Sequence, residues 1–256
     1  MNIQPSFHES RSQPPLEGSP KVAFARSAAE LRAAQRLRHD IFAGEMGARL
    51  HNQIPGLDHD HLDAHCHHLL VWDTPTDEVI GCTRILTEEG ARRAGGFYSQ
   101  SEFEIDSVLT LPGRFAEIGR TCVHRDYRNG ATITALWSGI AGFVAEQGID
   151  FLIGCASIPL GEDGAMAQVI FSELAQRYLT PEDRRVRPRI PLPRRDVVAR
   201  DDYSLPPLLK AYLRIGAQIC GEPFLDEDFQ VADVFILVST RQLTRRYARH
   251  FLERRA

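Results

Sequence analysis

The sequence has no long apolar run of the kind that crosses a membrane. None of its segments approaches the ~20 consecutive apolar residues that a membrane-spanning helix needs. Residues 1–20 contain no apolar stretch either, so we expect no secretory signal there. Their polar, proline- and serine-rich composition predicts a disordered tail. If the protein meets a membrane, the sequence predicts that it does so peripherally.

A disulfide framework is also absent. The chain has 5 cysteines, an odd number spread widely through the sequence. They are Cys66, Cys82, Cys122, Cys155 and Cys220. Several of them lie in apolar runs, where a free cysteine behaves as a small hydrophobic residue. This usage predicts reduced thiols and a cytoplasmic location.

The chain lacks an excess of positive charge. Its formal net charge is -4, which argues against nucleic acid as a partner. Arginine is nevertheless concentrated in residues 183–200 and 244–256. Such segments are often a solvated basic face. The alternative is that they receive an acidic protein or an anionic membrane surface.

Hydrophobic periodicity predicts a mixed α/β chain with one core, which we expect to form a single domain over residues 21–256. Ser27 followed by Glu30 has the spacing of a capping box and predicts a helix start. The pattern predicts helices over 27–46, 133–148, 164–178 and 206–217, and strands over 68–73, 78–86, 115–123, 151–157 and 233–240. A basic helix is expected to close the chain.

A histidine-rich segment, "LDHDHLDAHCHHLLVWD" (57–73), has the composition of a metal site. His65, His67 and an aspartate would suffice for a catalytic zinc, and hence for a metal-dependent hydrolase. Structural zinc sites, however, have paired ligands at fixed spacing, and no second cluster of cysteine and histidine exists elsewhere in the sequence. The aspartates are the more ordered feature, because Asp58, Asp60 and Asp63 form D-x-D-x-x-D. We therefore predict no metal.

Charged residues interrupt two apolar strands of the prediction. Glu117 and Arg120 lie in "FAEIGRTCV", and Arg84 lies one strand earlier. Charges are rarely buried without a partner. A β-bulge near Ile118–Gly119 would turn Glu117 and Arg120 to one face, where they would serve one site. The alternative is an edge strand with solvated charges.

The next segment, "RNGAT" (128–132), connects that strand to a helix. A short polar loop that opens a helix directs several backbone N–H groups at one point, which favours a phosphate. An ordinary tight turn has the same composition, so the loop alone does not decide between the two.

Together these stretches resemble the GNAT-type N-acyltransferase superfamily and, within it, the ornithine–acyl-ACP N-acyltransferases. The resemblance runs from about residue 22 to residue 248. The matching stretches include "AAQRLRHDIFAGEMGA", "DHDHLDAHCHHLLVWD", "GGFYSQSEF", "EIGRTCVHRDYRNGATITALWSGIA", "LIGCASIP", "LPPLLKAYLRIGA" and "DFQVADVFILV". The layout is also similar to that of the acyl-homoserine-lactone synthases. It implies a mixed sheet with splayed strands flanked by helices.

The resemblance implies transfer of a 3-hydroxyacyl chain from acyl carrier protein to the α-amine of ornithine, which forms lyso-ornithine lipid. Glu117 is then the expected base or amine ligand, with Asp58 and Asp60 as rivals. Arg84 and Arg120 are expected to orient the acids or hold the substrate carboxylate. The remaining implied site residues are Asp63 in the acidic loop, Arg38, Phe42 and Ser157 for the substrate, and Cys122, Val123, Arg128, Asn129, Gly130, Ala131 and Thr132 for the acyl donor.

Two departures from the superfamily pattern bear on these roles. Aspartate replaces the first acidic residue of the loop, and "RNGAT" replaces the usual glycine-rich loop. We therefore expect the donor on the phosphopantetheine of acyl carrier protein, with no separate cofactor. Glutamine or lysine as acceptor, a signalling lactone as product and a non-catalytic acyl-carrier or membrane adaptor remain alternatives.

Overall fold

A computed structural model describes residues 20–51, 54–128, 130–195 and 204–241. The predicted disordered tail and closing basic helix lie almost wholly outside these residues, as do Asn129 and residues 196–203. The single-domain organisation stays a prediction. No helix among the described residues is long and apolar enough to cross a membrane.

The core of the structure is a large β-sheet. The strands of the described residues are β1 (Lys21–Phe24), β2 (His67–Asp73), β3 (Glu78–Thr87), β4 (Phe103–Glu104), β5 (Phe115–Val123), β6 (Phe151–Pro159), β7 (Arg187–Pro188), β8 (Gln218–Ile219), β9 (Phe224–Asp226) and β10 (Val231–Ser239). Eight of them form one sheet with the order β1-β2-β3-β5-β6-β10-β8, in which β9 also pairs with β10, and β4 pairs with β7 in a separate sheet. Among these strand pairs, only the central one, β5 with β6, is parallel.

Helices cover both faces of the large sheet. They are α1 (Ala28–His39), α2 (Glu88–Ala94), α3 (Asp106–Leu109), α4 (Ala131–Gln147), α5 (Ala165–Tyr178) and α6 (Pro207–Arg214). In β10, Val234 and Ile236 pack with α4, α5 and α6, while Phe235 packs with the α2 side. The near-continuous apolar run of this strand is explained by burial on both faces.

The first helix begins as the sequence predicts and ends in an unusual turn. The Ser27 side chain caps α1 by accepting from the Glu30 N–H at 3.2 Å. The helix then continues as a π-helical turn, Asp40–Glu45. Such turns are rare and often occur at functional sites, because the wider turn re-aims side chains. Here the turn directs Phe42 and Glu45 toward the end of β5.

All the predicted helices and strands of the described residues are present, with small shifts at their ends. The prediction missed β1, α2 and the short elements β4, α3, β7, β8 and β9. These are brief segments whose conformation depends on tertiary pairing; for example, β1 pairs with β2 from Lys21↔Trp72 to Phe24↔Leu69.

Candidate functional site

The two central strands separate part-way along their length. β5 and β6 pair only from Phe115↔Phe151 to Glu117↔Ile153, after which both strands continue without pairing to each other. Gly154 lies at the point of separation, where a Cβ atom would be only 2.5 Å from the Ile118 carbonyl oxygen. The separation leaves a gap in the sheet, as the predicted splayed strands require.

A β-bulge in β5 forms one wall of this gap. Cys82 pairs with Cys122 and Arg84 with Gly119, so Arg120 and Thr121 together face the single residue Thr83. Arg120 has a φ of 50°, a left-handed conformation that is uncommon outside glycine. The predicted bulge is confirmed, but it lies about two residues later than Ile118–Gly119.

The bulge brings Glu117 and Arg120 to the same face, as predicted. The Tyr98 backbone N–H donates to the Glu117 carboxylate at 2.6 Å, and the Arg120 guanidinium lies over the Tyr98 ring at 5.1 Å. The same guanidinium also lies over the Phe229 ring, 5.2 Å from its centroid. Tyr98 therefore contacts both charged residues: its backbone N–H contacts Glu117, and its ring contacts Arg120.

Three arginines and three aspartates form an arginine–aspartate cluster beside the bulge: Arg38, Arg84, Arg120, Asp58, Asp60 and Asp63. Arg38 donates to both oxygens of Asp63, at 3.0 and 2.9 Å, and to Asp58 at 2.8 Å. Arg84 donates to Asp60 at 2.6 Å and to Asp63 at 2.9 Å. Arg120 lies 3.2 Å from Asp58 and 3.8 Å from Asp60.

This pairing keeps Asp60 and Asp63 ionised. Burial alone would raise the pKa of Asp63, but hydrogen bonds and charge from Arg38, together with the charge of Arg84, hold that pKa well below its usual range. The pKa of Asp60 is also lowered: Arg84 outweighs the effect of burial. Carboxylates held in this way are poor proton acceptors near neutral pH.

Glu117 is buried, with 3% exposure, and its oxygens accept from three donors. These are the Tyr98 N–H, the Ser99 N–H at 2.7 Å and the Ser99 hydroxyl. Burial raises the pKa of Glu117 in spite of these bonds. The contacts anchor the turn Tyr98–Ser101 to β5. The catalytic role predicted for Glu117 remains a prediction, and the geometry adds a positioning role.

A Glu117→Gln variant separates the two roles. An amide cannot accept from three donors, so we expect the free energy of unfolding to fall by about 2–3 kcal/mol. Glu104→Gln, at an exposed position of β4, is the matched control and should leave stability unchanged. Denaturant unfolding and a pH–rate profile are the measurements. A large loss of kcat with unchanged stability, and with loss of the acidic limb of the profile, where protonation of the base lowers the rate, would instead establish Glu117 as the base.

A second group of acids was missed by the sequence analysis. Glu102, Asp226 and Asp233, called here the acidic group, each place a carboxylate oxygen within 4.8 Å of the others. Burial, followed by the charge of Asp233, raises the pKa of Glu102 to about 8. Burial also raises the pKa of Asp233 to about 7. Asp233 carries the same signal as Glu117, a charge in an apolar strand, because it is the first residue of the strand predicted over 233–240.

Two adjoining cavities meet at Arg120 and the acidic group. The central cavity, about 250 Å³, lies in the gap between β5 and β6 and reaches Ser157 and Asp233. The outer cavity, about 570 Å³, reaches Asp58 and Asp60. Both are lined by Tyr98, Glu102, Arg120, Asp226 and Phe229.

A third cavity of about 550 Å³, called here the β5 cavity, runs from the bulge toward the start of α4. The predicted donor residues Cys122, Val123, Arg128 and Gly130 line it, whereas Ala131 and Thr132 do not. Thr132 is buried against the sheet, since a Cβ atom on Gly81 would be 2.8 Å from its methyl group. The β5 cavity and the central cavity share Phe42, Met46, Thr121 and Leu208.

The histidines of residues 57–73 do not converge on one point. His68 Nε2 lies 2.9 Å from the Asp63 carbonyl oxygen and supports the aspartate loop. His67 packs against the Phe143 ring at 5.0 Å on the other side of the sheet. Among the described residues, the group whose ligand atoms lie close enough to share an ion is the acidic group, which contains no histidine.

Comparisons with known proteins identify the family. The Acetyltransferase (GNAT) domain family matches residues 37–138. The chain is 35% identical to "L-ornithine N(alpha)-acyltransferase" of Brucella abortus (strain 2308), covering 91% of this chain and 89% of the relative. It is 34% identical to the protein of the same name from Rhodobacter capsulatus, covering 92% and 95%. The chain belongs to the L-ornithine N(alpha)-acyltransferase family.

Solved structures of low sequence identity have the same fold as this family member. The acyl-homoserine-lactone synthase LasI superimposes with a TM-score of 0.52 at 14% identity, covering 88% of this chain and 95% of that one. FeeM, an N-acyl amino acid synthase from uncultured soil microbes, gives 0.51 at 9% identity, covering 89% and 94%. The GNAT-type fold predicted from the sequence is confirmed.

Proposed function

We propose that the protein transfers a 3-hydroxyacyl chain from acyl carrier protein to the α-amino group of L-ornithine and so forms lyso-ornithine lipid. Membership of the L-ornithine N(alpha)-acyltransferase family supports the acceptor. The observation that carries the proposal is the junction of two cavities at Thr121. A thioester that enters along the β5 cavity and an amine that enters through the central cavity would meet at the bulge.

The shape and charge of the β5 cavity suit a phosphopantetheine arm. Ile41, Ile133 and Leu208 give it an apolar lining. At its mouth, Arg125 and Arg128 are 63% and 48% exposed and both pair with Glu45. Arg128 lines the cavity and supplies a cation that suits the phosphate of the arm. The donor's own prosthetic group would thus be the only one that the reaction requires.

The reaction forms an amide bond between the acceptor nitrogen and the acyl carbon and breaks the thioester C–S bond. Attack on the carbonyl creates an oxyanion, which needs a donor that is already in place. The bulge lies where β5 is not paired with β6. Its backbone N–H groups are the donors that the proposal assigns to the oxyanion.

The amine must lose a proton before it attacks, directly or through water. Asp60 and Asp63 are unsuited to accept it because their arginine partners lower their pKa values. Arg120 lines both the central and the outer cavity and is the cation that we assign to the acceptor's carboxylate. The proton is thus expected to leave through solvent in the cavities or through Glu117, the group tested by Glu117→Gln.

The carrier and the product imply partners outside the site. Acyl carrier proteins are acidic, and a lyso-lipid must reach a membrane. The described part of the arginine-rich segment has exposed side chains: Arg194 is 84% exposed beside Glu222, and Ile190 is 52% exposed. We propose that this surface receives the carrier or the cytoplasmic membrane face, where the enzyme would act peripherally.

The decisive assay uses purified protein with 3-hydroxyacyl carrier protein and, separately, 3-hydroxyacyl-CoA. Ornithine, lysine and glutamine are each offered as acceptor, and the acylated product is identified by mass spectrometry. We expect ornithine to have the highest kcat/KM and the carrier protein to be the better donor. A preference for glutamine would overturn the ornithine assignment but leave acyl transfer in place. If no amino acid were acylated, the proposed function would be wrong.

A further inference from the structure

We infer that Glu102, Asp226 and Asp233 bind the side-chain ammonium of a dibasic acceptor and thereby select ornithine over neutral amino acids. The inference rests on the proposed function and assigns its acceptor specificity to residues outside the arginine–aspartate cluster. It also accounts for acylation at the α-amine rather than at the side chain.

The first observation is that the site's other carboxylates are already paired. Asp58 pairs with Arg38 and Arg120, and Asp63 pairs with Arg38 and Arg84. Asp60 pairs with Arg84 at 2.6 Å and lies 3.8 Å from Arg120. The oxygens of Glu117 accept from backbone and hydroxyl donors. These anions have no obvious capacity for an incoming ammonium. A cation that enters the cavities must therefore find its partners elsewhere.

The second observation is two buried oxygen atoms without a hydrogen-bond partner. Among the described residues, Glu102 Oε2 and Asp233 Oδ1 are buried and accept no hydrogen bond. Their residues are only 3% and 4% exposed, and both line the central cavity. Leaving a buried carboxylate oxygen unpaired is unfavourable, so these atoms point to a ligand that donates hydrogen bonds.

The spacing fits an ammonium group. Three oxygens no more than 4.8 Å apart can each lie about 2.8 Å from one central nitrogen. An ammonium has three N–H donors, one for each carboxylate. A magnesium ion would need oxygens at about 2.0–2.1 Å, closer than oxygens at the 4.8 Å limit would lie. The three acids therefore match a primary ammonium in number, distance and charge.

Contact with the acidic group also suits the side-chain ammonium because this nitrogen is not the one that is acylated. The attacking α-amine must become neutral, whereas nearby anions favour the protonated form of an amine. Three carboxylates would keep the side-chain nitrogen charged and unreactive. The α-amine, three methylene groups away in ornithine, would be left to reach the thioester at the bulge. Regioselectivity would thus follow from the electrostatics of the acidic group.

Each acid is fixed by its own surroundings. Asp226 Oδ1 accepts from the backbone N–H groups of Asp228 and Phe229, both at 2.9 Å, at the end of β9. Asp233 is faced by Ser157, Asp226 and Arg120. Glu102 is faced by Asp233, Cys155, Tyr98 and Asp226. The predicted substrate residue Ser157 would therefore act by positioning Asp233.

Two neutral variants, Glu102→Gln and Asp233→Asn, test the inference. The acceptors are L-ornithine and L-norvaline, which has the same three-carbon chain without the ammonium. We expect each variant to lower kcat/KM for ornithine about 100-fold and to change that for norvaline less than about threefold. The fraction of product acylated on the side-chain nitrogen should rise. Glu173→Gln, exposed on α5, is the control and should change nothing.

A pH profile of the unmodified enzyme gives a second readout that does not depend on a variant folding. The carboxylates bind an ammonium only when ionised, and the pKa values of Asp233 and Glu102 are raised to about 7 and about 8. Both acceptors share the ionisation of the α-amine, so the ratio of KM for ornithine to KM for norvaline should fall as pH rises through this range. In Asp233→Asn the transition should move to lower pH, because Asp233 raises the pKa of Glu102.

The outcomes separate this inference from the proposed function. If the unmodified enzyme acylates norvaline but not ornithine, the proposed function is wrong. If it prefers ornithine and both variants keep the ornithine-to-norvaline ratio, only the present inference is wrong. It is also overturned if magnesium, calcium or manganese is required for activity and this requirement disappears in the variants, because the acidic group would then hold a metal ion.

Discussion

Asp63→Asn is expected to lower the free energy of unfolding by about 3–5 kcal/mol, because it removes the counter-ion that two buried arginines share and leaves each with a single aspartate. Asp63 is 3% exposed and accepts from Arg38, Arg84 and Gln35. Arg38 and Arg84 are themselves only 1% and 3% exposed. An asparagine keeps the shape of the side chain but turns an N–H group toward a guanidinium. The loss therefore measures the charge and not the packing.

Denaturant unfolding of the variant and of Asp183→Asn checks this expectation. Asp183 is 73% exposed and lies 3.9 Å from Arg184, so its substitution should change stability by less than about 0.5 kcal/mol. A loss below about 1 kcal/mol for Asp63→Asn would mean that the arginines find other partners or water. In that case the charge of Asp63 in the arginine–aspartate cluster would contribute little to the stability of the fold.

The negative charge of Asp63 also makes the free energy of unfolding depend on pH. The pKa of Asp63 in the folded state lies below the unfolded-state value of 3.8. Its contribution is fully present above that value and is lost as pH falls through the folded-state pKa. Asp60 acts in the same direction. Acid should therefore destabilise the unmodified protein more steeply than Asp63→Asn, as unfolding curves between pH 5 and pH 2 would show.

Part of the site could be predicted because charges within apolar strands need partners. Arg84, Glu117 and Arg120 stood out in the sequence for this reason, and the structure pairs each of them. The D-x-D-x-x-D spacing pointed to the aspartates, which the short 3₁₀ helix His61–His65 turns toward Arg38 and Arg84. The physical rule sufficed here because a buried charge without a partner is rarely tolerated.

The acidic group escaped the sequence analysis because no local pattern joins its members. Glu102 follows the short turn Tyr98–Ser101, Asp226 ends β9 and Asp233 lies in β10. Only tertiary pairing brings them together. β10 pairs with both β6 and β9, and in these pairs Asp233 lies opposite Ser157 and Phe224. In residues 128–132 the local pattern predicted too much. Thr132 lies in a segment with the composition of a phosphate-binding loop, but its side chain packs against Gly81.

Substituting Arg120 is expected to have the largest effect on activity. Arg120 lines both the central and the outer cavity and is held between the rings of Tyr98 and Phe229. If its guanidinium holds the acceptor's carboxylate, Arg120→Met should lower kcat/KM for ornithine by about 10²–10³-fold, through loss of a desolvated charge pair. Methionine keeps an apolar stem between the rings, so that the fold is retained.

Two comparisons test whether the loss of kcat/KM in Arg120→Met comes from a lost contact with the acceptor's carboxylate. Arg120→Lys keeps the charge without the bidentate geometry and should fall between Arg120→Met and the unmodified enzyme. L-ornithine amide, which has no carboxylate, should be a poor acceptor for the unmodified enzyme but equal to ornithine for Arg120→Met. Arg93→Ala, at a 67% exposed position of α2, is the control. If Arg120→Met still prefers ornithine to its amide by the original factor, another residue binds the carboxylate, and Arg120 serves only to orient Asp58 and Asp60.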